Sequence, residues 1–272
     1  MKKNKVIRDF GNEWEKFNFS NIDKSEIKNI FQDYFSIFPF DKINKNSVGF
    51  DMGGGTGRWT QFLAPRVKEI NFIEPSSAMD IAKINLKNFK NINFIKEEVS
   101  ENILNKNSHD FGYCLGVLHH TNETLKNLKY CTSFLKKDAV FLLYLYYNFD
   151  NRNILFKSIW YISNLLRNFV SILPNSIKNI LTDIIAVIIY FPLARISLVL
   201  SYLGINTSSI PLSYYKNKKL YIMRNDSRDR FGTKLEKRYS KKEIFEMMDQ
   251  SNLYDIKFSD EPPYWVAVGF KK

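Results

Sequence analysis

The chain has 272 residues, 44% of them hydrophobic, enough for one sizeable core plus additions. Its net charge of +12 comes from lysine and arginine that, with asparagine, read as spread along the whole length, the pattern of a solvated exterior rather than a nucleic-acid-binding stripe. The two cysteines, Cys114 and Cys131, have no CxxC spacing and read as reduced, buried thiols, which excludes a disulfide scaffold.

The start Met1-Lys2-Lys3-Asn4-Lys5 is basic but leads into Arg8-Asp9 and Glu13-Trp14-Glu15 rather than an apolar run, so no signal peptide is expected. Residues 1–45 read as a helical prelude. Ser25 is placed to cap a helix whose apolar positions Ile27, Ile30, Phe31, Tyr34, Phe35 and Phe38 share one side, with Trp14, Phe17 and Phe19 in front of it.

A second segment, 46–147, opens on an apolar strand, Val48-Gly49-Phe50, that meets Asp51 and then four glycines within five positions, Gly53 to Gly57. Glycine used at this density lets backbone bend through positive φ and lie directly against a ligand. The spacing G-x-G-x-G lacks the third glycine of the dinucleotide fingerprint, where Arg58 stands, and lacks the Gly-Lys-Ser/Thr ending of a triphosphate loop. A short helix from Thr60 to about Ala64 precedes a second strand, Ile70–Ile73, whose tip carries Glu74, about twenty residues past the glycines, where a carboxylate can accept both hydroxyl hydrogens of a ribose. Ile92–Ile95 forms a third strand, followed by Glu97 and Glu98. A fourth, Asp110–Leu115, ends at Gly116-Val117-Leu118-His119-His120.

In these segments, "VGFDMGGGTGRW", "INFIEPSSAM", "NINFIKEEVS" and "HDFGYCLGVLHHTNETL", the sequence resembles the class I S-adenosylmethionine-dependent methyltransferases over about residues 48 to 146. The resemblance implies an α/β fold, a seven-stranded, mostly parallel Rossmann-like sheet with helices on both faces. It implies S-adenosylmethionine as cofactor, held by Asp51, Gly53, Gly55 and Gly57 under the methionine part, by Glu74 at the ribose, by Glu98 and Val99 at the adenine, and by Leu115 at the end of strand four. Glu98 stands where that family usually has Asp, and Glu97 lies beside it. Preludes in such enzymes often fold over the cofactor, so packing on the sheet and a lid role are both open for residues 1–45. His119 and His120 fall beside the expected methyl group, where a neutral imidazole can take the proton of an attacking hydroxyl. The chain's three histidines have no acids or cysteines at ligand spacing, so no metal is expected.

Strand five is expected over Val140–Tyr146, with Tyr144 and Tyr146 on one side, and Tyr146 or Tyr147 as candidates to line the acceptor pocket. An insert, 148–235, follows. It contains Ile154–Leu173, a break at Pro174, and Ile177–Leu203 with Pro192 and Arg195 inside. The uncharged run Ile184–Ala194, bounded by Asp183 and Arg195, falls short of the roughly 20 residues a membrane span needs. A buried helical cap is the expectation, with peripheral membrane contact through 148–205 as the alternative to a purely cytoplasmic protein. Asp229–Thr233 reads as a polar loop in which Arg230, or Arg238 beyond it, can hold a substrate carboxylate or phosphate, with surface ion pairs to Asp229 or Glu236 as the plainer role. The last segment, 236–272, holds a helix opened by the capping box Ser240–Glu243 and a strand pair, Ile256–Phe258 and Trp265–Phe270, with Trp265 reaching toward the pocket.

The function expected is methyl transfer to an oxygen or nitrogen of a small molecule, with a sugar or glycan precursor as the best-fitting class. A tRNA or other nucleic-acid methyltransferase is the runner-up, and a catalytically silent cofactor-binding scaffold the third reading. Fold alone does not choose among them.

Overall fold

The computed structural model describes residue 8, residues 11–18 and residues 22–272; Phe19 and the basic start Met1–Lys5 lie outside the described residues. Apolar runs flanked by turns become strands here, the central ones covered on both faces. The strands are β1 (Val48–Met52), β2 (Glu69–Ile73), β3 (Ile92–Ile95), β4 (His109–Leu115), β5 (Leu135–Tyr144), β6 (Leu253–Phe258) and β7 (Val266–Lys271). They form one sheet in the order β3-β2-β1-β4-β5-β7-β6, in which β7 alone runs against its neighbours. This is the mostly parallel Rossmann-like sheet expected. The strand order reverses between β1 and β4, which leaves a crevice at the C-terminal ends of those two strands, the usual ligand position in open α/β sheets.

The helices are α1 (Lys24–Tyr34), α2 (Thr60–Leu63), α3 (Ala78–Asn85), α4 (Thr124–Ser133), α5 (Ile154–Val170), α6 (Asn175–Tyr202), α7 (Leu220–Gly232) and α8 (Lys241–Gln250). In the prelude, α1 buries Ile27, Ile30 and Phe31 and continues into the buried Phe35 and Phe38. Asp23, rather than the expected Ser25, caps it: its carboxylate accepts the Ser25 N–H at 2.9 Å. Strand five ends at Tyr144, two residues earlier than expected, so Tyr146 leaves the sheet before the turn. The Ser240 capping box is formed as read, with Glu243 returning to the Ser240 N–H at 2.7 Å.

Neighbouring strands β1 and β4 exchange a ring for a hydrogen. Gly49 pairs with Phe111 and Phe50 with Gly112. A Cβ at Gly49 would come within 2.1 Å of the Phe111 ring, and one at Gly112 within 2.2 Å of Phe50. Each phenyl group lies over bare backbone of the adjacent strand, in a layer with no spare volume.

Contacts divide the chain into two units, residues 1–148 with 235–272, and residues 149–234. In the first, the insert's two ends are stitched together. Tyr147 and Tyr239 form a parallel bridge, the Tyr239 N–H donates to the Tyr146 carbonyl at 2.8 Å, and the Asn148 N–H donates to the Tyr239 carbonyl at 3.0 Å.

The second unit departs from the sequence reading in three ways. First, α6 is one helix of 28 residues, long and apolar enough by length and composition to cross a membrane, not an eleven-residue run closed by charge. It continues because the charges at its margins are answered within the unit. Asp183 pairs with Arg224 at 2.8 Å, and Arg195 donates to the Lys216 and Lys218 carbonyls at 2.6 and 2.9 Å. The widened turn Ala186–Tyr190 sits just before Pro192, which has no N–H to continue the ladder. Second, the polar stretch Asp229–Thr233, expected as a loop, continues α7 as far as Gly232. Third, the apolar side chains expected to be buried are mostly exposed, Ile154, Ile162 and Ile188 by two thirds or more.

The β1–β4 exchange gives a direct test. Gly49→Ala and Gly112→Ala should each lower stability by about 1–3 kcal/mol through overpacking, read as a lower midpoint in urea. An unchanged midpoint would mean the rings have room to move.

Candidate functional site

The site is built from the crevice upward. After β1 the chain turns through Gly53, Gly55 and Gly57, all at positive φ (+78°, +57° and +80°), which a side chain adopts only with strain. The Gly53 and Gly54 N–H groups both donate to the Ile73 carbonyl, at 2.8 and 3.0 Å, anchoring the loop to the end of β2. Glu74 completes the anchor. Its Oε2 accepts the Gly55 N–H at 3.0 Å and its Oε1 accepts the Ser76 N–H at 2.9 Å, inside a buried setting. Each carboxylate oxygen keeps a second lone pair, so a buried acceptor for two hydroxyl hydrogens stands beside the glycine turn.

Asp51 lies behind the loop. It is fully buried and accepts the Thr60 hydroxyl at 2.6 Å, which in turn meets the Tyr113 hydroxyl at 2.9 Å. Burial pushes its carboxyl up to about 7, against the lowering pull of those hydrogen bonds.

At the end of β4, Leu115 is nearly buried and Gly116 turns at φ +77°. A Cβ at Gly116 would meet no atom within 4 Å, so backbone is bare there beside open space. The turn Leu118–His120 then places both histidines inside the protein. The His120 Nδ1–H donates to the Leu235 carbonyl at 2.7 Å, so in the neutral ring Nε2 carries the lone pair. His119 has the opposite tautomer. Its Nδ1 accepts the Tyr146 N–H at 3.4 Å, leaving the proton on a buried Nε2 with no hydrogen-bond partner in the protein. Burial first, then the adjacent His120 and Arg238, holds His119 well below the usual imidazole range, so it is neutral at pH 7. The rings lie 4.0 Å apart, with Tyr146 stacked on His119 at 3.9 Å. A wall of aromatic rings runs on from there. Tyr146 meets Tyr144 at 5.9 Å, Tyr144 meets Tyr34 at 5.1 Å, and Tyr34 meets Trp59 at 5.2 Å.

Residues 50–143 match the family model described as a methyltransferase domain. The match spans about a third of the chain and makes this segment similar to methyltransferase domains. A SAM-dependent methyltransferase of Thermotoga maritima shares the fold across 98% of this chain and 99% of its own, at 15% identity and a TM-score of 0.51. An O-methyltransferase family protein of Burkholderia thailandensis does so over 95% of this chain and 59% of its own, at 11% identity and a TM-score of 0.56. Phosphoethanolamine N-methyltransferase 1 of Haemonchus contortus, solved with phosphoethanolamine and S-adenosylhomocysteine, aligns with 49% of this chain at 16% identity and a TM-score of 0.41, and the aligned part is 31% of its length. No protein of curated function matches the chain in sequence.

The methyltransferase domain fits its cofactor on this chain's own geometry. The positive-φ glycines, the bare Gly116 and the two-handed Glu74 carboxylate are what an adenosyl ligand needs around its methionine and ribose parts. Glu98 and Val99 follow β3, half-buried, with Val99 packed on the main core. Tyr147 and Trp265 meet each other at 6.5 Å on the C-terminal side, Trp265 just ahead of β7 rather than within it. Arg230 belongs to the other unit. It lies in the insert, over the Trp160 ring at 5.6 Å and near the Ser163 hydroxyl. Arg238 is brought to this group. It sits over Tyr146 at 5.1 Å, donates to the Tyr147 carbonyl at 3.1 Å and pairs with Glu236 at 2.7 Å, an enclosed pair rather than the expected surface one. Trp14 and Tyr34 were expected to pack or cover without a stated partner. Trp14 lies where a Cβ on Gly55 would touch it at 3.4 Å, and the Arg58 guanidinium lies over its ring at 5.1 Å. The described prelude therefore rests on the glycine turn, secured by the Ser77 hydroxyl donating to Glu15 at 2.9 Å. Among the described residues no three His, Cys, Asp or Glu side chains gather to hold a metal ion.

Two outcomes follow from these contacts. Glu74→Ala should weaken S-adenosylhomocysteine binding at least about tenfold, since it removes the hydroxyl acceptor and leaves buried N–H groups unpaired; calorimetric titration measures it, and unchanged affinity would remove Glu74 from the site. Asp51, with its carboxyl raised to about 7, binds a proton in the folded state that the unfolded chain has lost above about pH 4. Its contribution to stability therefore declines as pH rises from about 4 through 7. Asp51→Asn should flatten that decline, seen as a variant-minus-parent difference in melting temperature that grows more favourable between pH 5 and pH 8.

Proposed function

We propose that the chain transfers the methyl group of S-adenosylmethionine to an oxygen or nitrogen of a small molecule, a sugar or glycan precursor being the class that suits the site. One observation carries this reading: His119 Nε2–H is buried without a hydrogen-bond partner, next to an imidazole whose neutral tautomer presents a lone pair. An orphaned buried donor costs about 1–3 kcal/mol, and an acceptor molecule's oxygen restores it. In this reading His119 orients the acceptor through that N–H, and His120 Nε2 takes the proton as the acceptor attacks. S-adenosylmethionine, when bound, supplies an electrophilic methyl group on a sulfonium, so the chain's task is alignment, exclusion of water and proton removal. The rings of Trp59, Tyr34, Tyr144 and Tyr146 offer flat apolar faces to a compact ring. Arg58 lies over Trp59 at 4.3 Å and Arg238 over Tyr146 at 5.1 Å, and Tyr147 and Trp265 are further candidates to line it.

The charge distribution disfavours the nucleic-acid alternative. Residues 149–234 contain twelve lysines and arginines against four aspartates, so the unit that carries the methyltransferase domain holds the other 28 basic residues against 24 acidic ones. The surplus is not spread along the chain, and the unit with the domain is close to balanced. A phosphate backbone calls for a basic track beside the reacting atoms.

Incubation with methyl-labelled cofactor and separate pools of sugars, sugar nucleotides and bulk tRNA tests the proposal. Label should enter a low-mass product and leave tRNA blank; label in tRNA would refute the small-molecule reading. With an acceptor in hand, His120→Ala should cut turnover about 100-fold or more while S-adenosylhomocysteine affinity stays within about twofold. Full turnover in both His119→Ala and His120→Ala would leave approximation as the whole of the chemistry.

A further inference from the structure

The insert, residues 149–234, buries basic side chains beside a small apolar cluster of Val170, Ile185, Tyr190, Ala194, Met223 and Phe231. Arg167 is buried and donates to the Thr233 carbonyl at 2.9 Å and to Asn164 at 2.7 Å. Lys178 is 1% exposed and donates to the Gly232 carbonyl at 3.0 Å. Arg228, also 1% exposed, donates to Asn179 at 2.9 Å, and the Ser227 hydroxyl to the Thr182 carbonyl at 2.8 Å. Long basic side chains are rarely buried this fully in a water-soluble domain, where apolar groups fill the interior.

Most of the large apolar side chains of α5 and α6 are outside. Of the 24 large hydrophobic side chains exposed among the described residues, 21 lie between Ile154 and Ile205. They are ordered along the helices. On α5 they include Leu155, Ile159, Ile162, Leu166 and Phe169, and on α6 Ile177, Ile180, Ile184, Ile188 and Phe191, each series at helical spacing along one side. Only 28% of the most apolar stretch of α6 is buried. So large an unpartnered apolar area is not a stable boundary with water.

Charge identifies what covers it. The same unit carries eight of the chain's twelve net positive charges, with Lys157, Lys219 and Lys234 exposed, and a helix pair with an apolar side and exposed lysines suits the interface of an anionic bilayer. The arrangement favours lying in the interface over crossing it. On α5 and the first half of α6 the apolar residues named form one side, while Arg167 and Lys178 on the other side are committed to polar partners. We propose that residues 149–234 are a membrane-docking unit that lays the outward sides of α5 and α6 into the headgroup region of an anionic lipid bilayer.

Flotation of the full chain, kept in mild detergent until dilution, with vesicles of phosphatidylcholine alone or mixed with phosphatidylglycerol measures this directly. The chain should float with mixed vesicles at an apparent affinity about tenfold or more above that for phosphatidylcholine, with the difference shrinking in high salt. Ile162→Asp with Ile188→Asp, both on exposed sites and checked for native circular dichroism, should abolish flotation. Lys157→Glu with Lys234→Glu should erase the lipid preference while leaving weaker binding. Failure to float with either vesicle, flotation unaffected by the aspartate pair, or a discrete soluble dimer covering these residues would overturn the proposal. Equal binding to both vesicle types would overturn its anionic part.

Discussion

The clasp between Glu74 and the glycine turn is the constraint on which the site depends. One carboxylate takes an N–H from the loop after β1 and another from the chain after β2, so two strand ends that only run side by side become a single rigid edge. Charge-assisted hydrogen bonds inside a buried setting are among the stronger polar contacts a protein makes. The loop's anchorage to the Ile73 carbonyl works the same way from the backbone side. With that edge fixed, the end of β4 supplies the opposite wall, and the pair of histidines falls into the remaining corner.

How far this was legible in the sequence varies with the kind of physics involved. The parallel sheet could be read because its central strands are short apolar runs, and the glycine turn because positive φ leaves a mark in composition. The acid at the tip of β2 could be read because its distance from the glycines follows from one helix and one strand. The two tautomers could not. They depend on which backbone groups reach His119 and His120 from Tyr146 and Leu235, contacts separated by 27 and 115 positions. Trp14 and Tyr34 join the site by tertiary packing of a prelude whose pattern shows only that one side of a helix is apolar. Arg238 and Arg230 look alike in sequence, and only the fold separates them, since one follows the insert and the other ends within it.

In the insert the sequence reading erred for an instructive reason. Hydrophobic periodicity tells which residues share a side of a helix, and it is silent on whether that side faces a core or a lipid. Burial of Arg167, Lys178 and Arg228, with Ile162 and Ile188 left outside, is what the pattern could not show. Counting charge over the whole chain also concealed a surplus that counting by segment exposes. The interruption at Asp183 and Arg195 proved no stop at all, because α7 and the Lys216–Lys218 carbonyls supply partners for both.

The bridge between Tyr147 and Tyr239 has an architectural consequence. A guest segment of 86 residues departs and returns through adjacent points of its host, so its presence imposes little chain-closure entropy on the sheet and its removal need not reopen it. Excision behind this stitch, with a short glycine-serine joint in place of residues 149–234, would leave the sheet unit whole, so that what each unit contributes can be studied apart.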